Sequence, residues 1–111
     1  MSPSKPKSKP ARAAGKLSAA RIAELAAKRR GWKVIGARLR REFRFKDFAA
    51  ALDFVNRIGA EAEALNHHPD LELGWGRVAV ALSTHDAGGL TEADFVLAAR
   101  IDNLHAALAA H

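Results

Sequence analysis

The segment Asn66-His67-His68-Pro69-Asp70 limits this chain more than any other. Upstream of it, Phe48, Leu52, Val55, Ile58, Ala62 and Leu65 recur at intervals of three and four behind Asp47, so the spacing predicts a helix capped by Asp47. Pro69 pushes His68 towards extended geometry, so the helix must stop before it. Downstream the period changes to two. Leu71, Leu73 and Trp75 alternate with Glu72 and Gly74, and Val78, Val80 and Leu82 alternate with alanines, the runs being joined near Gly74 and Gly76. That pattern reads as a hairpin whose second strand runs into Ser83-Thr84-His85-Asp86. The helix exit and the strand end thus carry three of the five histidines.

The remaining elements follow from the same two periods. Ser18 is placed to cap a first helix in which Ile22, Leu25 and Ala26 share a face, and Lys28-Arg29-Arg30-Gly31 closes it with positive charge and a glycine. Trp32 to Ile35 is a short apolar, β-branched run. After Gly36, Leu39, Phe43 and Phe45 alternate with arginines, Glu42 and Lys46, as in a half-buried strand. Arg41 interrupts the apolar side and is expected at an edge or reaching solvent along its stem. Ala87-Gly88-Gly89 makes a tight connection, with no sign of a phosphate loop. Thr91-Glu92-Ala93-Asp94 then has the form of a capping box, with Leu90 placed to pack on Phe95. The last helix presents Phe95, Ala98, Ile101, Leu104 or His105, and Leu108 inward. The order helix-strand-strand-helix-strand-strand-helix predicts an α+β domain, a four-stranded antiparallel sheet with three helices on one face.

Composition narrows the function. The 111 residues suffice for one domain, and a core this small would be helped by self-association. With no cysteine, disulfide frameworks, thiol catalysis and thiolate zinc sites are excluded. The net charge of +6 invites a nucleic-acid reading. However, Lys5, Lys7, Lys9, Arg12 and Lys16 lie in residues 1–16 without an acid, and beyond them thirteen basic residues face twelve acidic ones. Residues 1–16, with three prolines, read as a disordered basic tail and residues 17–111 as the domain. Nucleic acid is therefore not an expected partner of the domain. No window suits a secretory signal or a membrane span, so a cytoplasmic protein without membrane contact is expected.

The histidines suggest proton transfer. Imidazole titrates nearer neutrality than any other side chain, and three of them beside carboxylates can serve as acids and bases. Glu63 precedes His67 by four residues and can share a helix face with it, orienting the ring. An inconsequential surface Glu-His pair fits that spacing equally well. The adjacent pair His67-His68 lacks the one-turn spacing of helical zinc motifs, so no metal is expected. Asp94 is explained by capping, though it could also face the site. Trp75, near the hairpin turn, is a rim residue or a stacking platform for a flat ligand. His105 reads as a packed helix residue.

Three stretches together, Phe43-Arg44-Phe45-Lys46-Asp47-Phe48, Ala62 to Asp70 and Leu82 to Thr91, resemble the pterin-4a-carbinolamine dehydratase family, over roughly Leu17 to Ala107. The resemblance implies an enzyme that removes water from 4a-hydroxytetrahydropterin (4a-hydroxytetrahydrobiopterin) to give quinonoid dihydropterin, without a cofactor. It would thereby recycle tetrahydrobiopterin for an aromatic amino-acid hydroxylase. It also implies acid-base roles for His67, His68 and His85, a supporting carboxylate in Glu63, and pterin contacts from Asn66, Ser83, Thr84 and Asp86. Animal members often have Asp at the position of Asn66, Glu at that of Asp86 and an aromatic at that of Leu71. Animal members are also dimerisation cofactors of a homeodomain transcription factor; small size and an apolar last helix, whose Leu104 and Leu108 a four-helix contact between dimers would bury, make a non-catalytic interaction module of the same fold the alternative expectation.

Overall fold

The computed structural model describes residues 15–109. The expectation of a disordered tail falls mostly on residues 1–14, outside the described ones. Helix α1 (Ala19–Ala27) starts where Ser18 accepts the Arg21 amide at 3.2 Å. Strands β1 (Lys33–Ile35) and β2 (Arg38–Arg44) follow, then helix α2 (Phe48–Leu65), whose first turn is capped by Asp47 Oδ1 on the Ala50 amide at 2.9 Å. Strands β3 (Asp70–Gly74) and β4 (Arg77–Leu82), a single 3-10 turn (His85–Ala87) and helix α3 (Glu92–Ala109) complete the chain. Among the described residues no helix is long and apolar enough to cross a membrane.

The four strands form one antiparallel sheet in the order β1-β2-β4-β3. Register explains the core. Leu39 lies opposite Leu82 and Phe43 opposite Val78, while Val80 and Val78 face Leu71 and Leu73 across the other seam. The alternating side chains Leu39, Phe43, Val78, Val80 and Leu82 therefore land together and are at most 2% exposed. Against them α2 and α3 press Ala51, Phe54, Ile58, Leu97, Ala98 and Ile101, and α1 adds Ile22 and Leu25 from the periphery. Phe43 is the hinge of the packing, with Phe54 at 4.9 Å and Trp32 at 6.1 Å, both edge-on.

Two sequence expectations need correction. Arg41 is neither on an edge strand nor directed to solvent: β2 is an inner strand and Arg41 stands on its helix side, opposite Val80. Its guanidinium sits 4.4 Å from the Phe43 ring centroid and donates to Asp102 Oδ1 at 2.8 Å. Trp32 Nε1 donates to that same oxygen at 2.8 Å, and Arg29 reaches Oδ2 at 3.1 Å. Gly31, with φ of +89°, lets the stem of Arg41 pass, since a Cβ there would lie 2.8 Å from its Nε. The buried face of α2 also differs from the expected one. Ala51, Phe54, Ile58 and Ala62 are buried, whereas Phe48 and Leu52 are 43% and 40% exposed. The helix is apolar on more than one side, and the fit of Phe54 against Phe43 selects which side turns inward.

His105, half-buried on α3, completes the aromatic group, its ring centroid lying 4.9 Å from Phe43 and 5.8 Å from Phe45 and Phe54. Burial pushes its pKa below the ordinary value; Arg41 pushes the same way and Asp102 opposes. Above the unfolded value of about 6.5 the ring is neutral in both states and its environment carries no penalty. As pH falls below that, the unfolded chain takes up the proton more readily, so stability falls until the folded ring is protonated too. Thermal midpoints at pH 7.5 and 5.5 should show this acid-side loss. It should shrink in His105→Leu, and an equal loss in both proteins would refute the assignment.

Candidate functional site

The site begins at the end of α2. Asn66 adopts the left-handed conformation (φ 51°), its amide bonds back to Glu63 O, and the His67 amide bonds to Ala62 O at 3.0 Å. This is the Schellman closure, usually made by glycine, and asparagine is among the few other residues that accept its backbone. Pro69 then prevents any resumption of the helix. The reversal throws consecutive side chains in different directions, which allows neighbouring histidines to serve one cleft.

His67 turns inward. Its Nε2 lies 2.6 Å from Asp94 Oδ1, with His67 16% exposed at the side chain and Asp94 completely buried. Asp94 Oδ2 accepts the Thr91 amide and the Thr84 hydroxyl, each at 2.9 Å. Thr84, having committed its proton to Asp94, accepts from the Thr91 hydroxyl, also at 2.9 Å. With Oδ2 taken up by two donors, Oδ1 is left to hold the Nε2 edge of His67, so the ring is fixed with Nδ1 as its remaining nitrogen.

His68 turns outward, and its Nε2 meets Glu63 Oε2 at 2.6 Å. The sequence expectation joined Glu63 to His67, and this is corrected. Four-residue spacing holds only while the helix continues, and α2 ends at Leu65. Both members of the Glu63-His68 pair are more than half exposed, so solvent screens it and its value lies in orientation rather than stability.

The other wall comes from the end of β4. Thr84 and Gly89 form an isolated bridge around the 3-10 turn, which Gly88 closes at φ +74°, leaving His85 and Asp86 exposed at its start. The resulting cleft, about 250 Å³, is lined by Asn66, His67, His68, Ser83, Thr84, His85 and Asp86. Seven of the eight candidate residues are thus gathered there, and Glu63 stands behind His68. Asp94 is the partner that spacing left undecided, and its only sequence signal was the capping box. Trp75 is 74% exposed at the hairpin turn, outside this lining.

A larger cavity of about 410 Å³ lies between the end of β2, the start of α2 and the end of α3. Its wall contains one imidazole, His105, and one carboxylate, Asp53, which Arg57 holds at 3.0 Å. With a single imidazole and its carboxylate engaged by Arg57, it is a poorer seat for proton transfer than the three-histidine cleft. Among the described residues no cluster of three or more histidines and carboxylates is arranged to hold a metal ion.

Comparison with known proteins finds relatives of the chain. The profile of the family described as pterin 4 alpha carbinolamine dehydratase matches residues 15–104. A protein of Rubrobacter xylanophilus provisionally named pterin-4-alpha-carbinolamine dehydratase is 56% identical over 75 residues, 67% of this chain and 70% of its own. One of Thermosynechococcus vestitus with the same provisional name is 50% identical over 91 residues, 82% of this chain and 96% of its own. Among solved structures, a transcriptional coactivator/pterin dehydratase from Brucella melitensis superposes with a TM-score of 0.78 at 32% identity, covering 81% of this chain and 98% of that one. A pterin dehydratase-like protein identified as a RuBisCO assembly factor in the alpha-carboxysome gives a TM-score of 0.55 at 27% identity, covering 66% and 84%.

Substitution at Asp94 separates its shape from its chemistry. Asp94→Ala strands a buried amide, a hydroxyl and an imidazole edge, and should cost about 2–4 kcal/mol in urea denaturation. Asp94→Asn keeps an acceptor for Thr91 and Thr84 and should lose less than half of that; equal losses would contradict the hydrogen-bond assignment. At the helix exit, Asn66→Ala should cost about 1 kcal/mol, while Asn66→Gly should change little.

Proposed function

The chain belongs to the pterin 4 alpha carbinolamine dehydratase family, and from that premise we propose that it dehydrates 4a-hydroxytetrahydropterin to quinonoid dihydropterin by histidine acid-base catalysis. The observation that carries this reading is the convergence of His67, His68 and His85 on one cleft, with His67 and His68 each held by a carboxylate at 2.6 Å. Breaking the bond between carbon 4a and its hydroxyl requires a proton at the departing oxygen, and ring nitrogen 5 must release a proton. One imidazole supplies the first and another accepts the second, so neither a metal nor a cofactor is required.

In this proposal His67 and His85 carry the two transfers and His68 holds the pterin. Asp94 fixes the ring of His67, and Glu63 sets the tautomer of His68. Asn66, Ser83 and Asp86 meet the polar edge of the pterin. Thr84, whose hydroxyl is occupied by Asp94 and Thr91, shapes the wall. The protein would act in the cytoplasm as a homodimer or homotetramer, returning tetrahydrobiopterin to an aromatic amino-acid hydroxylase.

A second reading, a non-catalytic interaction module, draws on a different observation. Phe48 and Leu52 expose an apolar strip on α2, and a neighbour of related fold is identified as an assembly factor.

The deciding measurement is turnover of freshly prepared 4a-hydroxytetrahydropterin against its spontaneous dehydration. The dehydratase should accelerate it at micromolar enzyme, and no acceleration would leave the interaction module. His85→Ala should lower the rate on the order of 10²–10⁴-fold while the thermal midpoint and oligomer size stay near those of the parent. His105→Ala should stay within a few-fold in rate. A loss of rate that tracks unfolding would end the catalytic assignment of His85.

A further inference from the structure

Every polar group of Thr84 is engaged inside the protein, although the residue lines the histidine cleft. Its amide donates to Gly89 O at 3.3 Å, and its carbonyl accepts the amides of Ala87, Gly88 and Gly89 at 3.1, 3.1 and 3.4 Å. Its hydroxyl gives a proton to Asp94 Oδ2 and takes one from Thr91, each at 2.9 Å. A threonine has two donors, the amide and the hydroxyl, so none is left for a ligand.

These bonds tie two histidines together. The backbone ones hold the 3-10 turn, whose first residue, His85, follows Thr84 directly. The hydroxyl reaches the other histidine through Asp94, whose Oδ1 lies 2.6 Å from His67 Nε2. The terminal torsion of an aspartate is broad, so its carboxylate plane is set by the donors around it. The Thr91 amide on Oδ2 belongs to the opening of the same helix and fixes Asp94 only relative to α3. The Thr84 hydroxyl comes from beyond the end of β4, and so it refers the carboxylate, and with it the His67 ring, to the wall that carries His85. Thr91 and Asp94 are both fully buried, so bulk water does not replace a missing donor there.

We propose that Thr84 is a positioning residue for the dehydration: through Asp94 it holds the His67 ring in a fixed place relative to His85, and it donates no hydrogen bond to the pterin. This rests on the dehydratase reading and adds to it the residue that aligns the two proton-transfer groups, in place of the pterin contact expected of Thr84. The consequence is selective. Proton transfer depends steeply on where the imidazole stands, whereas holding the pterin draws on the other residues of the cleft. Loss of the hydroxyl therefore acts on turnover and not on substrate binding.

The test removes the hydroxyl and keeps the shape with Thr84→Val, and keeps the hydroxyl with Thr84→Ser. With 4a-hydroxytetrahydropterin as substrate, Thr84→Val should lower kcat about ten- to a hundredfold with KM within about twofold of the parent, and Thr84→Ser should hold kcat within about threefold. A second readout needs no substrate. In nitrogen-15 spectra of the imidazoles, His67, identified by the signals lost in His67→Gln, should carry a slowly exchanging proton on Nε2 in the parent and in Thr84→Ser. That proton should exchange rapidly in Thr84→Val, while the signals of His105 stay in place. Where the valine variant does not fold, Thr84→Ala removes the same hydroxyl and is read in the same two ways. A raised KM at unchanged kcat, an equal loss of kcat in Thr84→Ser, or an unchanged His67 spectrum in the folded variant overturns the proposal and leaves the dehydratase reading standing. If the parent does not turn over the pterin, the dehydratase reading falls. The spectra then decide alone: rapid exchange in Thr84→Val supports the alignment of His67 by Thr84, and unchanged exchange overturns it.

Discussion

One carboxylate joins three separate parts of this protein. Asp94, completely buried at the start of α3, takes the Thr91 amide that opens its own helix, the Thr84 hydroxyl at the end of β4 and the His67 ring at the exit of α2. Burying such a group is unfavourable unless its oxygens find donors, and here they find three. The same interactions that make the burial tolerable set the distance between the two walls of the cleft. Helix capping, strand termination and histidine orientation are therefore one arrangement.

A second carboxylate on α3, Asp102, makes an instructive contrast. It gathers Trp32, Arg41 and Arg29, so two of its three donors are fixed cations. Among the described residues Asp94 has no guanidinium or ammonium partner: its donors are an amide, a hydroxyl and an imidazole. The charge of Asp102 is balanced permanently, which suits a structural tie between α1, β2 and α3. One helix thus carries an ion cluster in its middle and, near its start, a buried carboxylate held by an amide, a hydroxyl and an imidazole.

Much of the fold was legible because burial imposes simple periods. The alternation of Leu39 and Phe43, and of Val78, Val80 and Leu82, predicted the inner strands, and Ser18 and Asp47 marked real helix starts. The histidine stretches were legible as two chain reversals, although not how they meet. Interactions across the fold were hidden. His67 and Asp94 are 27 residues apart and Arg41 and Asp102 are 61 apart, so no spacing rule connects them. Helical spacing does not give the partner of Glu63, because the left-handed turn at Asn66 ends the helix and brings His68, not His67, to its carboxylate. The buried side of α2 was ambiguous because local periodicity cannot choose between two apolar faces.

The strand order β1-β2-β4-β3 also bears on how the molecule assembles. Each outer strand pairs with its neighbour in sequence, so both hairpins close short loops, whereas the central β2–β4 seam joins Leu39 to Leu82 and must wait for α2 to fold between them. All three cleft histidines precede Asp94 in the chain. During synthesis they therefore emerge before the carboxylate that aligns His67. A nascent chain at that stage has its cleft histidines but not their geometry, and the ordering of the His67 ring becomes a marker that translation and folding have both reached the last helix.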